Sequence, residues 1–290
     1  MALLEALRQD ASWLLLTCTL LGLVVGSFLN VVILRLPRML EQSWRAEARQ
    51  ILELPAATDE PLVSLASPPS SCPGCGARIR PWHNIPLAGW LMLRGRCASC
   101  GMPISIQYPV IEAISGLAAA ICALHFGWSA QLLPAMVMSW TLIALTVIDL
   151  RTMLLPDNLT LPLMWLGLLL SLFPVFASLH DSVVGAMAGY LSLRSMYHLF
   201  LLLTGKEGMG FGDFKLFAAF GAWLGWQALP GIIIMSSVVG AVVGIGLIVF
   251  KRHGREVPIP FGPYLAGAGW IYMVWGAQLR QAYFAASGIH

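Results

Sequence analysis

The sequence predicts an all-α polytopic membrane protein, with about eight transmembrane helices and one small polar loop domain. Three observations predict it. Apolar residues make up 58% of the 290, and charged residues only 11%. Soluble domains average about 25% charged, and one core of this size could not hide so much apolar surface, whereas lipid can solvate it. Eight apolar stretches approach the roughly 20 residues that a spanning helix needs. The single long polar stretch, 35–108, lies between the first two of them.

The spans fall near 12–34, 109–126, 131–149, 158–176, 183–204, 214–228, 230–250 and 261–279. The sixth is short, and Pro230 separates it from the seventh. The first reads as an anchor rather than a cleaved signal. Glu5, Arg8 and Asp10 replace a basic cluster, the apolar run from Ser12 to Leu34 exceeds the usual length, and no small-x-small cleavage site follows. This divides the chain into a first transmembrane helix (1–34), a polar loop (35–108) and a membrane core of about seven helices (109–290). The net charge of +3 is too small to suggest a nucleic-acid partner. Lipid is the partner that the composition implies.

Eight spans put the long loop on the same side as the segments near 150–157, 205–213 and 251–260. That side carries Arg35, Arg38, Arg45, Arg49, Arg78, Arg80, Arg94, Arg96, Arg151, Lys206, Lys215, Lys251, Arg252 and Arg255, against Arg8 and Arg280 opposite. Cytoplasmic loops carry such an excess of Lys and Arg. The loop is therefore expected in the cytoplasm, with both termini outside.

Within it, Cys72-Pro-Gly-Cys75-Gly and Cys97-Ala-Ser-Cys100-Gly form two Cys-x2-Cys knuckles. Two such knuckles converging on one ion make a closed tetrathiolate site, which suits structural Zn2+. The alternative, two disulfides, is disfavoured in a reducing cytoplasm. The glycine after each knuckle lets the backbone turn tightly. Zinc would hold together a loop too small to build its own core. Cys18 and Cys122 sit in apolar spans and are expected only to pack.

Ionisable residues inside a membrane are functional candidates because their burial is costly. Asp149 ends the third span in Thr146-Val-Ile-Asp-Leu-Arg151, and Asp213 opens the sixth in Gly208-Met-Gly-Phe-Gly-Asp-Phe-Lys215. Two carboxyls held close share one proton. The ionised one can take a proton from water while the protonated one polarises a peptide carbonyl. Gly208, Gly210 and Gly212 could admit an extended substrate beside Asp213. The plainer readings are a helix N-cap for Asp213 and a partnership of Asp149 with Arg151 or Lys215. Asp157, after Pro156, reads as the N-cap of the fourth span. Glu112 is expected to pair with a cation or orient a loop. Arg194 is left to a carboxylate, a lipid phosphate or an interface.

Together these residues resemble the type IV prepilin peptidases, bifunctional leader peptidases and N-methyltransferases of bacterial type IV pilus and type II secretion systems. The resemblance runs through Gly26-Ser-Phe-Leu-Asn-Val-Val32, Arg35-Leu-Pro37, the four cysteines and Arg80-Pro-Trp-His-Asn-Ile-Pro86. It continues through Tyr108-Pro-x-x-Glu112, Asp149, Leu155-Pro-Asp157, the glycine-rich stretch 205–215 and Pro258-Ile-Pro-Phe-Gly-Pro-Tyr264. It implies that Asp149 and Asp213 are catalytic, and that the substrates are prepilins and pseudopilins, usually cut between Gly and Phe at the cytoplasmic face of the inner membrane. It also implies S-adenosylmethionine as donor for methylation of the new N-terminus. No strand-glycine-helix nucleotide fingerprint marks where that donor binds; the Gly26–Asn30 stretch and the cysteine loop are the candidates. A transporter using its carboxylates for ions, or a zinc-stabilised scaffold, would lack proteolysis.

Overall fold

The computed structural model describes residues 5, 8, 10–55, 63–251 and 259–287. Arg252, Arg255 and Pro258, invoked above, lie outside them. The described chain is mostly helical, and its only β-pairing is two isolated bridges. It divides into two compact units, Met1–Leu132 and Leu133–His290.

The first unit is built on α1 (Ala11–Ile51), α2 (Ala88–Met92) and α3 (Gln107–Phe126). Asp10 caps α1, its carboxylate accepting the Ser12 N–H at 2.7 Å. The apolar run ends at Leu34, but the helix continues through Pro37 to Ile51. A polar extension needs no lipid to stay helical, and an i,i+4 pair between Glu41 and Arg45 at 2.6 Å supports it. Helices α1 and α3 pack through small residues. A Cβ on Gly26 would lie 2.7 Å from the Glu112 Cα, and the Ser115 hydroxyl donates to the Gly22 carbonyl at 2.6 Å. Close backbone approach of this kind is how apolar helices associate where lipid offers no hydrophobic drive. Gly26 is thereby accounted for as a packing residue.

The second unit contains α4 (Leu132–Thr152), α5 (Asp157–Ser171), α6 (Leu179–Thr204), α7 (Phe211–Leu224), α8 (Leu229–Lys251) and α9 (Gly262–Ser287). Helix α7 is its centre, with every residue from Phe214 to Trp223 buried except Lys215. A helix apolar all round must be surrounded, and α5, α6 and α9 pack on it. Gly185 of α6 and Gly221 of α7 bring their backbones together, and the Trp223 indole N–H donates to the Leu163 carbonyl at 2.7 Å. Beyond Gly225, at φ +80°, one 3-10 turn leads into α8. Pro230 sits in the first turn of α8, where it removes no helical bond.

Each of the eight expected spans coincides with one of these longer helices. Among the described residues, four stretches are long and apolar enough to cross a membrane: Ala11–Ile51, Gln107–Phe126, Leu132–Thr152 and Trp226–Leu247. Eight crossings are not confirmed. Helix α7, with 14 residues, is about 21 Å long, and a hydrocarbon core is about 30 Å thick. Helix α6 carries His180, Asp181, Arg194 and His198 within a mostly apolar run.

Candidate active site and metal centre

In the second unit, Asp149 lies near the C-terminal end of α4 and Asp213 in the first turn of α7. They are 5% and 6% exposed. Although 64 positions separate them, the two carboxylates come close enough for their charges to act on one another. The N-cap position of α7 belongs to Gly210, so Asp213 is not the cap. One of its oxygens, Oδ1, is buried with no donor. An unpaired buried acceptor costs about 1–3 kcal/mol, and native folds seldom carry one without a use.

Asp149 has a different neighbour from either cation expected of it. It accepts the backbone N–H of Gly262, at the start of α9. A Cβ there would lie 2.5 Å from Asp149 Oδ2. The connection after α4 turns at Met153, at φ +55°, and brings Leu155 beside Gly212 and Gly262. A Cβ on Gly212 would meet Leu155 Cβ at 2.5 Å, and one on Gly262 would meet its Cδ2 at 3.1 Å. The glycines before Asp213 thus serve a purpose that sequence reasoning missed. Gly212 makes room for Leu155, Gly208 makes room for the Phe200 ring, and only Gly210 faces the Asp213 carboxylate.

Asp157 is the first helical residue of α5, and Pro156 holds the cap position. Proline has no N–H and fixes φ, so the cap falls one residue earlier than expected. Instead, Asp157 receives the Lys215 ammonium on both oxygens, at 2.6 and 2.7 Å. Among the described residues Arg194 pairs with no carboxylate. It donates to the Tyr190 hydroxyl at 3.0 Å, with its guanidinium 5.8 Å from that ring's centre.

The four loop cysteines converge in the first unit, their sulfurs all within 4.8 Å of one another. They could hold a metal ion. The knuckles are built alike. The Cys72 N–H donates to Ala77 and the Gly76 N–H to Cys72; the Cys97 N–H donates to Met102 and the Gly101 N–H to Cys97. Bridges Ser71–Arg78 and Arg96–Pro103 close them. Gly76 and Gly101 have φ of +70° and +72°, the left-handed turn expected of glycine there. All six cysteines are free thiols, and Cys18 and Cys122 are buried as expected. N–H groups of Cys100 and Ser99 lower the Cys97 thiol to about 6. At Cys100 the Met102 N–H acts in the opposite sense, but the Cys75 sulfur and its neighbours push that thiol up to about 11. Thiol ligands must be deprotonated to bind a metal.

Around the cluster, Glu112 takes the loop-orienting role. It is 7% exposed and accepts the Leu87 N–H at 2.8 Å. Asn30 Nδ2 donates to the carbonyls of Gly26 and Tyr108, and Arg35 donates to those of Ser64 and Pro68 at 2.9 and 2.7 Å.

A helical membrane protein with two buried carboxylates meeting at helix ends, and a separate four-thiol cluster, belongs to a narrow class. Residues 20–126 match the model of the bacterial peptidase A24 N-terminal domain, and residues 136–245 match that of the type IV leader peptidase family. The chain is 53% identical over 287 residues to a prepilin leader peptidase/N-methyltransferase of Aeromonas hydrophila, covering 98% of each chain. It is 50% identical to one of Stutzerimonas stutzeri (96% of each) and 49% identical to one of Pseudomonas aeruginosa (99% of each). No solved structure matches. The chain belongs to the type IV leader peptidase family.

Proposed function

We propose that this chain cuts the leader from type IV prepilins and type II secretion pseudopilins with Asp149 and Asp213, then methylates the exposed N-terminal residue, usually Phe. The observation that carries the reading is the pair of buried carboxylates, one with an unpartnered oxygen, joined in one unit of a chain so similar to prepilin leader peptidases.

Only one carboxylate of such a pair ionises readily. The ionised one takes a proton from a water as that water attacks the scissile carbonyl. The protonated one donates to the developing oxyanion. Collapse of the tetrahedral adduct breaks the C–N bond, and a proton returned from the pair leaves with the amine. The Gly262 N–H orients Asp149 throughout. Both acids, and the groups that touch them, lie within the 109–290 core.

In this reading the chain sits in the bacterial inner membrane, with loop 35–108 and the aspartates on the basic, cytoplasmic side where a leader begins. Cys72, Cys75, Cys97 and Cys100 would hold Zn2+ in a structural role. Four soft thiolates fit that ion and leave no open position for substrate. S-adenosylmethionine would supply the methyl group when bound.

N-terminal mass spectrometry of a co-expressed prepilin tests both activities together. Wild type should yield shortened, methylated pilin, and Asp213→Ala full-length prepilin. Normal processing by Asp213→Ala would remove the dyad assignment.

A further inference from the structure

Beyond the acids themselves, we infer that the Asp157–Lys215 ion pair is a positioning clasp for the cleavage reaction, setting the start of α7, and so Asp213, against Asp149. This rests on the dyad reading above.

Asp149 ends one helix and Asp213 begins another, and the chain between them traverses α5 and α6. The short connection 153–156 passes beside the glycines that neighbour both acids. Leu155 in that connection touches both glycines of the site, Gly212 beside Asp213 and Gly262 beside Asp149. It acts as a spacer, so its position decides how the acids meet. A spacer held only by van der Waals contact can slide, because such contacts are individually weak and non-directional.

The clasp removes that freedom. Asp157 is two residues after Leu155, and Lys215 is two residues after Asp213. Their two-oxygen contact ties the connection to the same helical turn that carries Asp213. The pair stands at the rim, with Lys215 27% and Asp157 51% exposed by side chain. Exposed pairs contribute little to global stability. A merely structural role therefore predicts almost no effect of removing it. A positioning role predicts a large effect on turnover alone, since a displacement of about 1 Å in a catalytic group can cost about a hundredfold. Neither residue offers the reaction a proton: the lysine's donors face the aspartate, and both oxygens of the aspartate are engaged.

The test is steady-state prepilin cleavage by detergent-solubilised full-length protein. Methylation of a pre-cleaved peptide with a free N-terminal Phe is read in parallel. Asp157→Asn and Lys215→Met should each lower kcat about tenfold or more, with KM and methylation within about twofold of wild type. Lys215→Arg, and the exchange Asp157→Lys with Lys215→Asp, should recover at least about a third of the lost turnover, because each restores an ion pair. Single variants with wild-type kcat, or losses confined to KM, overturn the clasp. Should a single variant also lose methylation, the exchange decides: recovery supports the clasp and continued loss overturns it. Asp213→Asn in the same assay separates the two ideas. If it is inactive while the clasp variants are normal, only the clasp falls; if it cleaves normally, the dyad reading falls first.

Discussion

The two units solve opposite problems with side chains of similar reactivity. In the first, four cysteines stand at the surface, two half-exposed and two fully exposed. Loop backbone places them, and little packs around them. In the second, two aspartates are almost wholly covered, each near a helix end, and Gly221 of Asp213's helix lets its backbone touch that of Gly185. The cysteine cluster is local and could hold a metal ion. The aspartate pair is non-local, and its surroundings come from helix packing, the Gly262 N–H and side chains far away in the chain. A site made by coordination tolerates change around it, whereas a site made by packing does not.

That contrast can be broken most sharply at the acids. Asp149→Asn is expected to lower prepilin cleavage about a thousandfold or more, as loss of one member of a catalytic group does. Radiolabelled or gel-based leader removal in membranes reads this directly, and residual cleavage within tenfold of wild type would refute it.

Next comes a substitution that leaves both carboxylates in place. Gly262→Val puts a Cβ where only 2.5 Å separates it from Asp149 Oδ2 and crowds Leu155. Turnover should fall about a hundredfold, with four-thiol metal content unchanged. If cleavage survives, packing does not set the dyad as argued.

On the other side, Cys97→Ser with Cys100→Ser should take bound metal from about one equivalent per chain to none. The segment 70–104 should become protease-sensitive, while cleavage falls less than for Gly262→Val. Elemental analysis and limited proteolysis are the measurements.

The smallest effect concerns order of reaction. In metal-free protein, a thiol at about 6 is largely thiolate at pH 7, and one at about 11 is almost wholly protonated. Since the thiolate is the nucleophile, brief alkylation at pH 7 should label Cys97 ahead of Cys100. Its rate should decline as pH falls through 6, where Cys97 gains its proton. Peptide mapping reads the order, and equal labelling would count against it.

How much of this was legible in the sequence differs between the units for the same reason. Two Cys-x2-Cys-Gly elements lie within one short loop, so spacing and the left-handed glycine requirement specify the cluster almost completely. Glu112 was legible as buried but not as the acceptor for Leu87, because that bond depends on where a loop returns. Asp149 and Asp213 were conspicuous as charges in apolar runs. Asp157 was placed one residue late as a cap, because Pro156 takes that position, and the partner of its carboxylate lies 58 positions away. Arg194 looked unsatisfied for want of knowing that Tyr190, one turn back, would receive it.

By itself, then, the sequence determined that the chain is helical and apolar enough to live in lipid, that four cysteines converge, and that two acids are out of place. These follow from composition and short-range spacing, which act along the chain. Tertiary structure alone decided that the acids meet, that α7 is sheathed by other helices, and that Leu155, Gly262 and the Asp157–Lys215 pair stand around the dyad. Those depend on which helix faces pack together, and periodicity without contacts cannot supply that.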